Sequence, residues 1–293
     1  MDHLDLPKRD YDAISPSAFS LLMMKGFTNI PFARRTAELI IYPDIFTPDF
    51  TKKDMTFWAR VLHFENRYWS IDHLLSDLHI KNILELSSGL SFRGLAAVGD
   101  TGVHYIDTDL PDMIAAKKEY LSVLMKECKA IEGDLEVLAL NALDEIQFRD
   151  IVNHFPEGEV VIVNEGLLMY LDMTEKEKLC NIIHGILKER GGYWITADIY
   201  LKNKQNKLDL KLDQKTKDFF EQHRIEENKF NSFEEAETFF KRMGFKIDKE
   251  ANLNKSELSS MKYFLKSVTY KQLYKIRMAG KIRATWRLRI VED

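Results

Sequence analysis

From Ile80 onward the chain repeats one pattern: a short apolar run, a turn, then a helix-length amphipathic stretch. The runs are Ile80–Leu86, Val103–Ile106, Val137–Leu140, Val160–Val163 and Tyr193–Ala197. All are too short for helices and rich in β-branched or apolar residues, so they read as strands. Between them, Met113–Lys126 and Thr174–Lys188 read as helices, with Pro111 placed where a missing N–H is tolerated. Strands alternating with helices predict βαβ units and a mainly parallel sheet covered on both faces.

The pattern then changes. Ser232 with Glu235 predicts a capping box that opens a helix running to Arg242, and Gly244 ends it before a strand at Phe245–Ile247. Ala284–Ile290 alternates well enough for a last strand. Two late strands paired as a hairpin after five parallel ones give an α/β, Rossmann-like sheet of seven strands. That arrangement points away from a dehydrogenase and toward the sheet of class I S-adenosylmethionine-dependent methyltransferases. Ahead of Ile80 the chain is aromatic-rich and mostly helical, broken by Pro31, Pro43 and Pro48. Residues 1–78 are therefore expected to form an N-terminal helical cap on a core spanning 79–293. No internal repeat is visible. Lys202–Lys217 is strongly charged and reads as a solvated helix or a connection.

Composition narrows the function classes. The 293 residues are 45% hydrophobic and 30% charged, an ordinary globular balance long enough for a full core. A net charge of −4 argues against nucleic-acid binding by the whole molecule, though not against a local patch. The two cysteines, Cys128 and Cys180, make neither a metal spacing nor a disulfide framework. The polar start Met1–Asp10 is no signal peptide, and no apolar run reaches the length of a membrane helix. A cytoplasmic protein is the expectation. The histidines His63, His73, His79, His104, His154 and His184 are scattered without a ligand pattern, so no metal is expected.

Candidate chemistry concentrates at two strand ends. Ile83–Leu90 ends an apolar run in the small-residue turn Ser87-Ser88-Gly89. Val103–Pro111 ends the next run in Asp107 and Asp109, a helix-length later. In an open parallel sheet this is how a nucleoside-type site is built: the turn admits backbone to the ligand and the acid receives ribose hydroxyls.

Glu85–Leu90, Asp107–Pro111 with Lys117, Asn164–Leu171 and the aromatic-Ala-Arg segment Phe57–Val61 together resemble the leucine carboxyl methyltransferase family, which includes tetracenomycin-type polyketide O-methyltransferases. The resemblance covers roughly Lys25 to Asp198, and Glu-Gly-Leu-Leu-Met-Tyr-Leu is its most specific part. It implies S-adenosyl-L-methionine as cofactor and a small-molecule or peptide-carboxylate acceptor. Residue by residue, it implies that Arg60, with Lys25 as a second cation, pairs with the cofactor's carboxylate. Ser87 and Gly89 form the turn. Asp109 holds the ribose, with Asp107 its near rival, while Asn141 and Ala142 grip the adenine. Glu165 lies near the cofactor's amino-acid end, and Tyr170 belongs to the substrate pocket. Part of Tyr200–Phe230, about residues 200–231, is expected to form a lid.

The chain departs from the family pattern at Ser87-Ser88-Gly89-Leu90-Ser91, where Gly-Ala-Gly-Leu-Asp is usual, and at Asn141, where an Asp is usual. A side chain at Ser87 meets the penalty that glycine escapes at positive φ. Duller roles stand beside the sharp ones: Arg60 pairing with Glu65, Asp109 capping a helix, Glu165 and Tyr170 as structure. No general base stands out among His63, Tyr68 and Tyr170, which leans toward a carboxylate acceptor that is already ionised. Two further readings remain open: a catalytically degenerate binding protein, motivated by Ser87 and Ser91, and an RNA-directed methyltransferase using the basic tail. That tail carries Lys262, Lys266, Lys271, Lys275, Arg277, Lys281, Arg283, Arg287 and Arg289. Its plainer reading is the solvated face of a helix and an edge hairpin.

Overall fold

The computed structural model describes residues 15–40, 51–128, 130–202 and 214–291. Pro43, Pro48, the start of the chain and residues 203–213, most of the charged stretch Lys202–Lys217, lie outside the described residues. Among the described residues, seven strands form one sheet: β1 (Asn82–Leu86), β2 (His104–Asp109), β3 (Asp134–Ala139), β4 (Val160–Asn164), β5 (Gly192–Tyr200), β6 (Phe245–Glu250) and β7 (Arg283–Ile290). Their order is β3-β2-β1-β4-β5-β7-β6. The first five are parallel, and β7 runs antiparallel between β5 and β6. The order reverses at β1, which is flanked by β2 and β4, so a crevice opens at the carboxyl ends of these strands.

Side-chain alternation explains why both sheet faces are covered. Leu84, Leu86, Val160 and Ile162 pack on one side with helix α7 (Met173–Arg190) and helix α9 (Phe233–Arg242). Ile83, Val161, Val163 and Ile195 point the other way onto Ile71 and Leu74 of helix α3 (Met55–Leu75). Helices α1 (Ser15–Lys25) and α2 (Ala33–Leu39) pack through Leu22 and Ala33, with Ile30 of their connection, against Tyr68 of α3 and Met113, Ile114 and Leu121 of helix α5 (Pro111–Glu127). Helix α4 (Arg93–Ala97), α6 (Glu145–Val152) and α8 (Gln214–Gln222) complete the connections up to β6.

Several expectations need correction. β3 starts three residues before Val137. It is an edge strand, and its outer Asp134 and Glu136 face water, so an apolar pattern could not reveal its start. β2 extends to Asp109, so both acids belong to the strand itself. Ser232 does cap α9, accepting from the Glu235 N–H, but the Glu235 carboxylate reaches back to the Asn231 N–H instead of closing the box on Ser232. The late strands do pair antiparallel at one side of the sheet, but only β6 is its edge; β7 is internal, burying Trp286 and Leu288. The segment joining β6 to β7 carries helices α10 (Met261–Ser267) and α11 (Tyr270–Ala279). Phe264 of α10 packs against Met24, Trp58 and Val61, so this segment joins the N-terminal helices in covering the crevice. Among the described residues, no helix is long and apolar enough to cross a membrane.

Candidate functional site

The turn after β1 is held from three sides. The Ser88 N–H donates to the Thr108 carbonyl at 2.9 Å, and Lys117 Nζ donates to Ser88 Oγ at 2.8 Å. The Gly89 N–H donates to Asp109 Oδ2 at 2.7 Å, tying the ends of β1 and β2 together. To make this turn, Ser87 takes φ 50° and Gly89 φ 51°. Serine thus adopts the left-handed conformation that the sequence comparison flagged, at a cost of about 1–2 kcal/mol.

Asp109 accepts a second N–H, from Leu110 at 2.8 Å, and Leu110 occupies the N-cap position of α5 without a side-chain cap. Asp109 therefore does not cap the helix. Burial raises its carboxyl pKa, and the two N–H donors oppose that. Its rival Asp107 is buried against Lys117 Nζ at 2.9 Å, where burial outweighs the lysine and raises its pKa to about 6.

Glu165 sits one residue beyond β4 and is the centre of an ion cluster. Its Oε1 accepts from Lys25 Nζ at 2.7 Å and Arg67 Nε at 3.2 Å, and its Oε2 accepts from Arg93 Nη2 at 3.0 Å. Burial would push the Glu165 carboxyl up, but Lys25, Arg67 and Arg93 together hold it far below the usual carboxylate range. Arg93 also pairs with Asp72 and lies 3.5 Å from Glu85. Gly166 has φ 93°, and a Cβ there would stand 2.9 Å from Arg67 Nη2, so a glycine lets the guanidinium reach the carboxylate. Asp198 on β5 fixes the loop: its carboxylate accepts the N–H groups of Gly166, Leu167 and Leu168, and the Asn164 amide.

All nine residues singled out from sequence line one cavity of about 720 Å³: Lys25, Arg60, Ser87, Gly89, Asp109, Asn141, Ala142, Glu165 and Tyr170. Asp107 is not among its lining residues. Asn141 turns its own backbone, its Oδ1 accepting the Leu143 N–H at 3.0 Å. The Tyr170 hydroxyl lies 3.4 Å from Ser17 Oγ, and burial raises its pKa. Glu65 is not the partner of Arg60: its buried carboxylate takes the N–H and hydroxyl groups of Ser259 and Ser260.

Sequence reasoning missed Arg67, Arg93, Asp198, Tyr200 and Arg283, and left His63 as one name among several. A signal existed for two of them. Arg60, His63 and Arg67 are spaced by three and four residues, one face of α3, and all three line the cavity. His63 Nε2 lies 2.8 Å from the Tyr200 hydroxyl, to which Arg67 also donates at 3.3 Å. Burial, reinforced by Arg283 and Arg67, lowers the His63 pKa well below its ordinary value, so the imidazole is neutral at pH 7. Arg283 shares this wall, donating to the Ala197 carbonyl, Thr285 Oγ1 and Asn66 Oδ1. Apolar side chains from α8 and α10 (Phe219, Phe220, Met261 and Phe264) close this end of the cavity. Among the described residues, no group of three His, Cys, Asp or Glu is placed to hold a metal ion.

Neither a family model nor a curated protein matches the chain. Solved structures do. The methyltransferase domain of bacterial CtHen1-C is 10% identical, with 78% of this chain and 100% of that one covered and a TM-score of 0.52. The mitomycin 7-O-methyltransferase MmcR is 11% identical over 80% of this chain, with a TM-score of 0.46. The magnesium protoporphyrin IX methyltransferase ChlM from Synechocystis PCC 6803 is 10% identical over 92% of this chain and 98% of that one, with a TM-score of 0.47. The chain spans 57% of MmcR and 58% of OxaC, a little over half their length. At such identities the likeness speaks for architecture alone. Together with the strand order, the likeness to the CtHen1-C domain gives the chain the class I, Rossmann-like methyltransferase fold.

Proposed function

We propose that the protein is an S-adenosylmethionine-dependent O-methyltransferase acting on a carboxylate or hydroxyl of a small molecule or peptide terminus. The observation that carries this reading is the convergence of nine residues from separate parts of the chain on one cavity at the strand order's reversal. The residues fit the cofactor. Asp109 offers a carboxylate to ribose hydroxyls, and Met113, Leu140 and Ala142 offer apolar walls to a flat base. The Lys25–Glu165–Arg67 cluster, with Arg60 nearby, offers both signs of charge to a zwitterionic amino-acid end. When bound, the cofactor supplies a methyl group on a sulfonium. The residues of the chain orient the partners and exclude water.

At the opposite wall, Arg67 donates to the Tyr200 oxygen, leaving the Tyr200 hydroxyl free to donate to neutral His63. The Tyr200 oxygen can accept a hydrogen bond from a hydroxyl acceptor and orient it. Arg283, whose hydrogen-bond partners among the described residues are all neutral, suits an acceptor oxygen that is already anionic. Membership of the leucine carboxyl methyltransferase family is part of this proposal, supported by the Glu165–Leu171 loop lining the cavity. The degenerate-binder reading loses its motive, because Ser87 adopts the required turn and Gly89 still reaches Asp109. An RNA-directed enzyme is less favoured, since Lys281, Arg287 and Arg289 pair with Glu250 and Asp248.

Calorimetric titration with S-adenosylmethionine and S-adenosylhomocysteine tests the proposal. Micromolar binding that Asp109→Ala and Arg60→Ala each weaken at least tenfold is the expected result. Failure of both ligands to bind the native protein overturns it.

A further inference from the structure

Helices α10 and α11 present an unusual outer face. Eleven large hydrophobic side chains are exposed among the described residues, and six of them lie here: Tyr263, Leu265, Tyr270, Leu273, Tyr274 and Met278. Helix α11 buries no residue at all. Its Tyr270, Tyr274 and Met278, exposed by 87%, 58% and 68%, follow one another at four-residue spacing and make a single stripe. Solvation alone does not select tyrosine and methionine for such positions.

The charges around the stripe are equally one-sided. From Lys255 to Arg283 the chain carries eight Lys and Arg against one acid, Glu257, in a protein of net charge −4. At the end of this segment Lys281 is consumed by Glu250, and beyond it Arg287 by Asp248. Lys262, Lys266, Lys271 and Arg277 are exposed and have no carboxylate partner among the described residues. The inner side of the same helices lines the cavity through Met261, Phe264 and Ile276, and the half-exposed Leu265 and Leu273 belong to both surfaces. The apolar outer face is thus continuous with the cavity's rim.

We propose that α10–α11 is a docking surface for an anionic lipid membrane. Tyr270, Tyr274 and Met278 enter the headgroup boundary, Lys262, Lys266, Lys271 and Arg277 meet lipid phosphates, and the cavity rim faces the bilayer. A short helix that is basic on its flanks and apolar on one stripe binds such a surface through both signals together. Single-stranded RNA would use the cations and tyrosines but leave Leu265, Leu273 and Met278 without a role, whereas a bilayer uses all of them. The inference stands independently of the proposed methyl transfer.

Co-sedimentation with vesicles of phosphatidylcholine, with and without phosphatidylglycerol, tests it. The protein should sediment with the phosphatidylglycerol vesicles only, and raising the salt should release it. Lys271→Glu with Arg277→Glu should weaken binding by roughly 25-fold or more, since each cation near such a surface is worth about a fivefold change. Tyr270→Ser with Tyr274→Ser should weaken it at constant salt. Because α11 buries nothing, both variants should keep the native thermal melt. Three results overturn the proposal. One is equal binding, or none, to the two vesicle types. Another is binding to a poly(U) oligonucleotide in place of lipid. The third is a dimer that Tyr274→Ser dissociates, with no lipid binding.

Discussion

The Glu165 cluster makes the most demanding prediction. Glu165→Gln keeps the side chain's shape and removes its charge. Among the described residues, Lys25 then has no carboxylate within reach and Arg67 keeps only its bond to the Tyr200 hydroxyl, while Arg93 still holds Asp72 and Glu85. Side-chain exposures of 4% for Arg67 and 10% for Lys25 leave little water to take over. Breaking a buried pair from one side costs about 3–5 kcal/mol, and the retained amide oxygen places this case near the lower figure. Urea denaturation at pH 7 should show a loss of about 3 kcal/mol, equivalent to roughly 5 °C in Tm for a chain of this size. The sign of the pH dependence follows from the depressed carboxyl. In the unfolded chain Glu165 titrates near 4.3, so the native protein holds the full advantage above that pH and loses it on acidification, by about 1.4 kcal/mol per pH unit. The gap between native protein and variant should therefore narrow below about pH 4. A loss under about 1 kcal/mol at pH 7, or a gap unchanged by acid, would refute the assignment of Glu165 as the charge that holds Lys25 and Arg67 in place.

Three other outcomes follow from local geometry. Ser87→Gly should raise the urea midpoint slightly. It relieves about 1–2 kcal/mol of left-handed strain and gives back about 0.4–1 kcal/mol in unfolded-chain entropy; a lower midpoint would mean that the serine side chain contributes something the turn geometry does not show. Glu65→Ala orphans the amides and hydroxyls of Ser259 and Ser260, so it should destabilise the protein by about 3 kcal/mol and speed amide exchange across 259–267. Unchanged exchange there would detach Glu65 from the docking of α10. Lys176 donates to the Leu171 and Asn228 carbonyls, and burial lowers its pKa to about 8, with Asp172 opposing. Its folded pKa lies below the unfolded value, so the unfolded chain binds more protons between about pH 8 and 10.4 and stability should rise across that window by on the order of 3 kcal/mol. In Lys176→Met this rise should be smaller by that amount.

What the sequence revealed and what it hid divide along a physical line. The strands were legible because period and length announce them, though not their exact bounds, and Ser87, Gly89 and Asp109 could be named because each stands at or just beyond a strand end. Asp198 carried a similar signal, an acid closing the run Tyr193–Ala197, but its work is done on a neighbouring strand's loop, which only the β4–β5 pairing reveals. Arg67 and Arg93 were hidden for another reason. A cation's meaning depends on which carboxylate it meets, and Glu165 lies 98 residues from Arg67 and 72 from Arg93. Arg60 attracted attention because it stood in a recognisable tripeptide; two helical turns on, Arg67 stands on the same face of α3 and makes the buried pair. The basic tail misled in the opposite sense. Read along the chain, it is one charge run. In the fold it separates into β7 cations neutralised by Asp248, Arg283 at the cavity wall, and the exposed lysines and Arg277 on α10–α11. The same residue types therefore serve stability, binding and surface attraction within 30 residues, and burial with partner identity, not spacing, decides which.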